Sequence, residues 1–96
     1  MTHTDALTLA QSISCYLNDS TPSGSYSSAT VLAEFGGVSV HVESFSKKHA
    51  SRARGICRQL GLTCDHFEGD SFDPECWMFT VNGDDSEFSV MVEYLG

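Results

Sequence analysis

Two alternating runs of residues meet at Gly36-Gly37, and this pattern constrains the chain more than any other. Apolar and polar residues alternate from Ala29 to Ser44, and a Gly-Gly pair between two such runs signals a two-residue hairpin turn. Folding the chain there sets Phe35 opposite Val38, Ala33 opposite Val40 and Val31 opposite Val42, all on one face. Leu32, Glu34, Ser39 and His41 take the other face. A slip of one residue would send the apolar set into water, so the faces are strongly specified. One apolar face needs a cover, and the rest of the chain must supply it.

Two helices are the natural cover. The spacing of Ala6, Leu9, Ala10, Ile13, Tyr16 and Leu17 predicts a helix over 4–18, with Thr4 as its cap and Asp5 in its first turn. A second helix is predicted over 46–60, capped by Ser46 or Ser44 and stopped by Gly61. Its buried stripe is Ala50, Ala53, Ile56, Cys57 and Leu60. Ala50 and Ala53 are small enough to let it lie close to a sheet. Lys47, Arg54 and Arg58 fall near one flank of that stripe, while Lys48 and Arg52 point toward solvent.

Three more strands follow: 63–68, 76–82 and 87–94. Trp77, Phe79 and Val81 alternate in one, and Phe88, Val90, Val92 and Tyr94 in another. Residues 69–75 form an acidic loop with Asp73-Pro74 as its turn signal, and residues 82–86 join the last two strands. Residues 19–28 are a polar loop and the best candidate for a mobile segment. The order α-β-β-α-β-β-β, without βαβ repeats, predicts a single α+β domain spanning residues 1–96. Its expected form is an antiparallel sheet packed against two helices. An exposed last strand, 87–94, could pair across a dimer, but its acids would blunt such an edge, so a monomer is expected.

The chain has no run of 18 apolar residues, so no membrane helix is expected. The start, Met1-Thr2-His3-Thr4-Asp5, has neither the basic nor the apolar region of a signal peptide, which predicts a cytoplasmic protein. Cys15, Cys57, Cys64 and Cys76 are then expected as buried free thiols.

Charge is distributed unevenly. All five basic residues, Lys47, Lys48, Arg52, Arg54 and Arg58, fall within one short window of a chain whose net charge is −8. From Gln59 to Gly96 there are nine acids and no Lys or Arg. Such asymmetry bears on partner choice.

Chemical sites are hard to draw. Cys57, Cys64, His66 and Cys76 have metal-binding types, but they lack the tight pair that nucleates a zinc knuckle. The acidic segment 65–75 lacks the ligand order and central glycine of an EF-hand, so no metal or other cofactor is expected. There is no nucleophile elbow, phosphate loop or zinc-protease motif, and Cys76 with His66 or His41 is a pairing that chance supplies. An enzyme is not expected. Direct nucleic-acid binding by the basic helix is opposed by the acidic body, and the bases are expected to neutralise that body through weak salt bridges.

What remains is the acidic surface: Asp65, Glu68, Asp70, Asp73, Glu75, Asp84, Asp85, Glu87 and Glu93, on presumed adjacent strands and loops, with the first eight as the expected partner-binding residues. Carboxylates spaced along a rigid sheet can present the charge pattern of a phosphate backbone. In size, charge and α+β layout, and in its base-free stretch from Gln59 to Gly96, the chain resembles the small acidic anti-CRISPR and anti-restriction proteins of phages and mobile elements. That resemblance implies a stoichiometric inhibitor and DNA mimic that blocks the nucleic-acid-binding site of a CRISPR effector or similar defence complex. The alternative is a protein-binding adaptor, or an immunity or antitoxin domain, using the sheet face or the second helix.

Overall fold

The structure, a computed structural model, describes residues 2–19, 27–34 and 37–96, without the side chains of Glu34, Asp85 and Ser86. Most of the polar loop 19–28, with Phe35 and Gly36 of the expected turn, lies outside the described residues. The elements are α1 (His3–Asp19), β1 (Ser28–Glu34), β2 (Gly37–Ser44), α2 (Lys47–Gln59), β3 (Thr63–Phe67), β4 (Glu75–Val81) and β5 (Asp84–Tyr94). The predicted order and the α+β class therefore hold.

The helix ends follow capping chemistry. Thr2 Oγ1 accepts the N–H of Asp5 at 3.1 Å, so Thr2 caps α1 in place of Thr4. The two threonines carry the same hydroxyl, and the sequence does not rank them. Ala6, Ala10, Ile13 and Leu17 are buried, whereas Tyr16 lies on the exposed side. At the far end the Asn18 side-chain amide clasps Ala29, donating to its carbonyl and accepting from its N–H, each at 3.0 Å. This two-way bond ties α1 to the start of β1. In α2, Ser46 Oγ accepts the N–H of His49. The C-terminus closes as a Schellman motif, with Leu62 N–H donating to Cys57 O and Gly61 N–H to Arg58 O. Gly61 sits at φ 76°, the conformation that makes glycine the stop signal there.

The sheet is mixed rather than antiparallel, with order β1-β2-β5-β4-β3. The chain leaves β2, crosses through α2 to the far edge at β3, and returns by two antiparallel reversals to place β5 beside β2. An even number of reversals after a parallel crossover leaves β5 parallel to β2. β5 is thus the central strand, and the expectation of an exposed last strand is overturned: β1 and β3 are the edges.

The first hairpin also corrects the expected register. Ala33 pairs with Val38, Val31 with Val40 and Ala29 with Val42, and the last pair, Glu34 with Gly37, leaves residues 35 and 36 between the strands. The predicted turn is one residue too late. Moving a hairpin turn by one residue shifts every pairing by two, so the faces stay as predicted. The β4–β5 connection is shorter than expected. Val81 pairs with Asp84, and Asn82 and Gly83, both at positive φ, form a two-residue Asn-Gly turn with a register shift beside it.

Both helices lie on one side of the sheet. Val38, Val40, Val42, Phe79, Phe88, Val90 and Val92 are buried beneath them. The alternate residues of β2, among them Ser39, His41 and Glu43, are only half-buried on the open face. α1 lies on β1 and β2, and α2 on β2 and β5. β3 extends beyond this cover, and all five of its residues are exposed.

Candidate functional site

Two charged regions flank the sheet, and the topology explains both. The first is the acidic end formed by residues 68–74, which join β3 to β4. The loop is held by its own backbone. Asp70 N–H donates to Asp73 O at 2.9 Å, and the Asp70 carboxylate accepts the N–H groups of Phe72 and Asp73. Those backbone donors hold the Asp70 carboxyl below the usual aspartate range. Gly69 lies so close to the returning chain that a Cβ there would sit 2.5 Å from Asp73 O and Glu75 N. The result presents Phe72, 94% exposed, between two fixed aspartates. Beside it a shallow cleft of about 430 Å³ is lined by Glu68, Asp70, Asp73 and Glu93, with Phe67 and Cys76. Phe67 is 56% exposed on the open side of edge strand β3.

The predicted acidic residues do not form one group. Glu68, Asp70 and Asp73 surround the cleft. Asp65 projects from the open side of β3, since it pairs with Met78 between the buried Trp77 and Phe79. Asp84 and Glu87 belong to the start of β5, at the far end of β4, about 20 Å away at the usual strand rise. The side chain of Asp85 lies outside the described residues. Glu75 is the first residue of β4 rather than part of the loop, and its carboxylate meets His66 Nε2 at 2.9 Å on the helix-facing side. Two further carboxylates join the open face: Glu93, counted in the acidic surface but not among the expected binding residues, and Glu43, absent from both. Glu93 hydrogen-bonds His41 Nε2, and Glu43 lies 3.9 Å from His41 Nδ1. Strand parity places both on that face, but only the β2–β5 pairing makes them neighbours.

The second region is a cationic groove between α2 and the overhanging β3–β4 edge, with a volume of about 470 Å³. Its helix wall carries Lys47, Arg54 and Arg58, and its sheet wall carries His66, Trp77 and Glu75. The Arg54 guanidinium lies 4.2 Å from the Trp77 ring centroid. The His66 ring stacks on the same indole at 5.2 Å, 3° from parallel. Trp77 is itself only 7% exposed, so it supports these two side chains instead of facing solvent. Among the described residues no carboxylate lies within 4 Å of Lys47, Arg54 or Arg58, and the expected neutralising salt bridges do not form at these three cations. The sequence placed these three on one flank of α2. It gave no sign that His66 and Trp77 would face them across a groove.

The cysteines are spread out. Only Cys57 is buried; Cys15 and Cys64 are exposed and Cys76 is partly so, which corrects the expectation of four buried thiols, though all are free. Burial, with Cys64 nearby, pushes the Cys57 thiol up to about 12. Partial burial also raises Cys64 despite Arg58 and Arg54 beside it, and raises Cys76, which faces Glu93 and Asp73. Thiols held protonated are weak nucleophiles and weak metal ligands. Cys64 and His66 face the helix side while Cys76, paired with Phe67, faces the open side, so the zinc set drawn from the sequence is divided by the sheet. Among the described residues no three His, Cys, Asp or Glu side chains gather as metal ligands.

A buried Ser-His contact sits at the start of α2. Ser44 Oγ and His49 Nδ1 are 2.6 Å apart, while His49 Nε2 has no hydrogen-bond partner among the described residues. Ser44 is fully buried, so no substrate reaches its hydroxyl. The pair fastens the helix start to β2.

Among the described residues no helix is long and apolar enough to cross a membrane. No family model matches the chain, and no curated protein and no solved structure matches it either.

Proposed function

We propose that this chain is a non-enzymatic, stoichiometric binding protein that docks its acidic sheet end on a cationic surface of a protein partner. One observation carries the reading: Phe72 stands almost fully exposed on a loop fixed by its own hydrogen bonds, between Asp70 and Asp73, which with Glu68 line the adjoining cleft. An apolar anchor inside a charged rim is the usual anatomy of a binding hot spot, and a loop ordered before binding loses little entropy on docking. All of the chain's Lys and Arg lie on α2, in the layer across the sheet, so the open face offers such a partner no like charge.

The resemblance in size, charge and layout to anti-CRISPR and anti-restriction proteins extends the proposal. The partner is then the nucleic-acid-binding site of a CRISPR effector or similar defence complex, and the carboxylates take the place of phosphates. The proposed form is a cytoplasmic monomer of phage or mobile-element origin. A second reading, an adaptor or immunity-type domain, is favoured by Phe67 and Phe72, which suit apolar contacts.

Capture from host lysates tests the two. The tagged protein is compared with an E68K/D73K double variant and with Phe72→Ala. Release of a nucleic-acid-binding complex by salt or by competing DNA, and its loss in the double variant, supports the inhibitor. A salt-resistant partner lost only in Phe72→Ala supports the adaptor. Capture unchanged in both variants refutes docking by this end of the sheet.

A further inference from the structure

The groove between α2 and β4 offers unpaired positive charge in a chain of net charge −8, and nothing in the reading above uses it. Its two walls differ. On the helix wall Lys47, Arg54 and Arg58 recur at i, i+7 and i+11, which are positions of one flank of a helix. Arg54 is held against Trp77, and its Nε also donates to Ala50 O at 3.4 Å. Lys47 and Arg58 are exposed and free to reach inward. Guanidinium groups paired with an ammonium are the standard grip on a phosphate.

The sheet wall is built for something uncharged. His66 is stacked flat on Trp77, half-exposed, and held in place by Glu75. Its outer side offers a planar surface on which another ring can stack. Glu75 repels an anion but accepts hydrogen bonds from an amino group. The groove is therefore polarised across its width: anion on the α2 side, planar hydrogen-bonding ring on the β3–β4 side. Its volume of about 470 Å³ is within the range of small-ligand sites.

We propose that this groove binds a nucleoside phosphate, with the phosphate between Lys47, Arg54 and Arg58 and the base stacked on His66 beside Glu75. The acidic body disfavours a long polyanion, whose outlying phosphates would meet the carboxylates, so the free nucleotide is the source. A single nucleotide places its charge where the cations are.

NMR titration of the whole chain tests this. The probes are adenosine monophosphate, ribose 5-phosphate, adenosine, inorganic phosphate and a short oligoadenylate. The readouts are the side-chain N–H signals of Trp77, the only tryptophan, and of Arg54. Adenosine monophosphate is expected to shift both saturably. Arg58→Gln and Lys47→Gln, both surface changes, are expected to weaken it about tenfold each. His66→Ala is expected to bring its affinity down to that of ribose 5-phosphate. Equal binding of inorganic phosphate and adenosine monophosphate, untouched by His66→Ala, overturns the nucleoside assignment. Adenosine binding as tightly as adenosine monophosphate, or binding of the monophosphate unaffected by Arg58→Gln, overturns the phosphate assignment. No saturable shift up to about 10 mM overturns the site itself. Oligoadenylate that binds more tightly than its monomer through the same residues makes a strand the source and overturns the free nucleotide. Partner capture by the Arg58→Gln variant is expected to be unchanged, so this site and the acidic end fail or stand separately.

Discussion

The acidic loop and the cationic groove border the same strand, yet they are built in opposite ways. The loop 68–74 is local. Asp70, Phe72 and Asp73 hold one another within four residues, and Gly69 allows the chain to close on itself. The groove is wholly non-local. Arg54 and Trp77 are far apart in the chain and meet only because α2 lies on the sheet beside β4. A local site survives damage to the core, whereas a groove between two layers exists only while the layers stay packed.

The largest effect is expected from Trp77→Ala. Removing a buried indole typically destabilises a domain by about 3–5 kcal/mol, measured by chemical denaturation. It also removes the surface on which Arg54 and His66 rest. In conditions where the variant is still folded, amide exchange at Phe72 and Asp73 is expected to match the parent. Faster exchange there would mean that the loop depends on the core after all.

Gly69→Ala reverses the experiment. The new methyl meets backbone, which cannot swing away as a side chain can, and overpacking of this kind costs about 1–3 kcal/mol. Partner capture is expected to fall, while the Trp77 and Arg54 signals stay in place. A variant with parent stability and parent loop exchange would break the contrast.

A pH titration reads the join between helix and sheet. Burial, and then the Arg52 charge, lower the His49 pKa from its ordinary value of 6.5. The unfolded chain therefore takes up this proton first as pH falls. The contribution is fully present above pH 6.5 and is lost progressively as pH drops below it toward the lower folded value. The His49→Gln variant is expected to show a flatter stability profile over that window. An unchanged profile would mean that His49 is not the group responsible.

The smallest effects belong to exposed positions. Asp70→Asn keeps the one oxygen that accepts both backbone N–H groups but removes its charge, so faster exchange at Phe72 and Asp73 is expected with little change in global stability. Leu60→Lys is expected within about 0.5 kcal/mol of the parent, because Leu60 is 44% exposed. A large loss at Leu60 would restore it to the core, where helical spacing alone had placed it.

Leu60 illustrates how far spacing reaches. Periodicity located both helices, and glycine chemistry located the end of α2, because capping and amphipathic spacing act within a few residues. Residue types alone put a left-handed stop at Gly61 and narrowed the start of α2 to Ser46 or Ser44; the hydrogen bonds chose Ser46 and the Schellman form. Alternation fixed the buried faces of β2, β4 and β5, and it did so in β2 even though the hairpin turn was misplaced by one residue. The charge split was equally plain in the chain, as was the flank shared by Lys47, Arg54 and Arg58.

Pairing was a different matter. Nothing in strands read one at a time placed β5 between β2 and β4, since strand order depends on where the α2 crossover lands. That one outcome made the sheet mixed, brought Glu93 to His41, and left β3 uncovered beyond α2. It also divided the acids between the two ends of the sheet and set His66 and Trp77 opposite the cations of α2. Local chemistry determined the elements and their faces; the packing of layers, which depends on contacts across the whole chain, decided which charges meet.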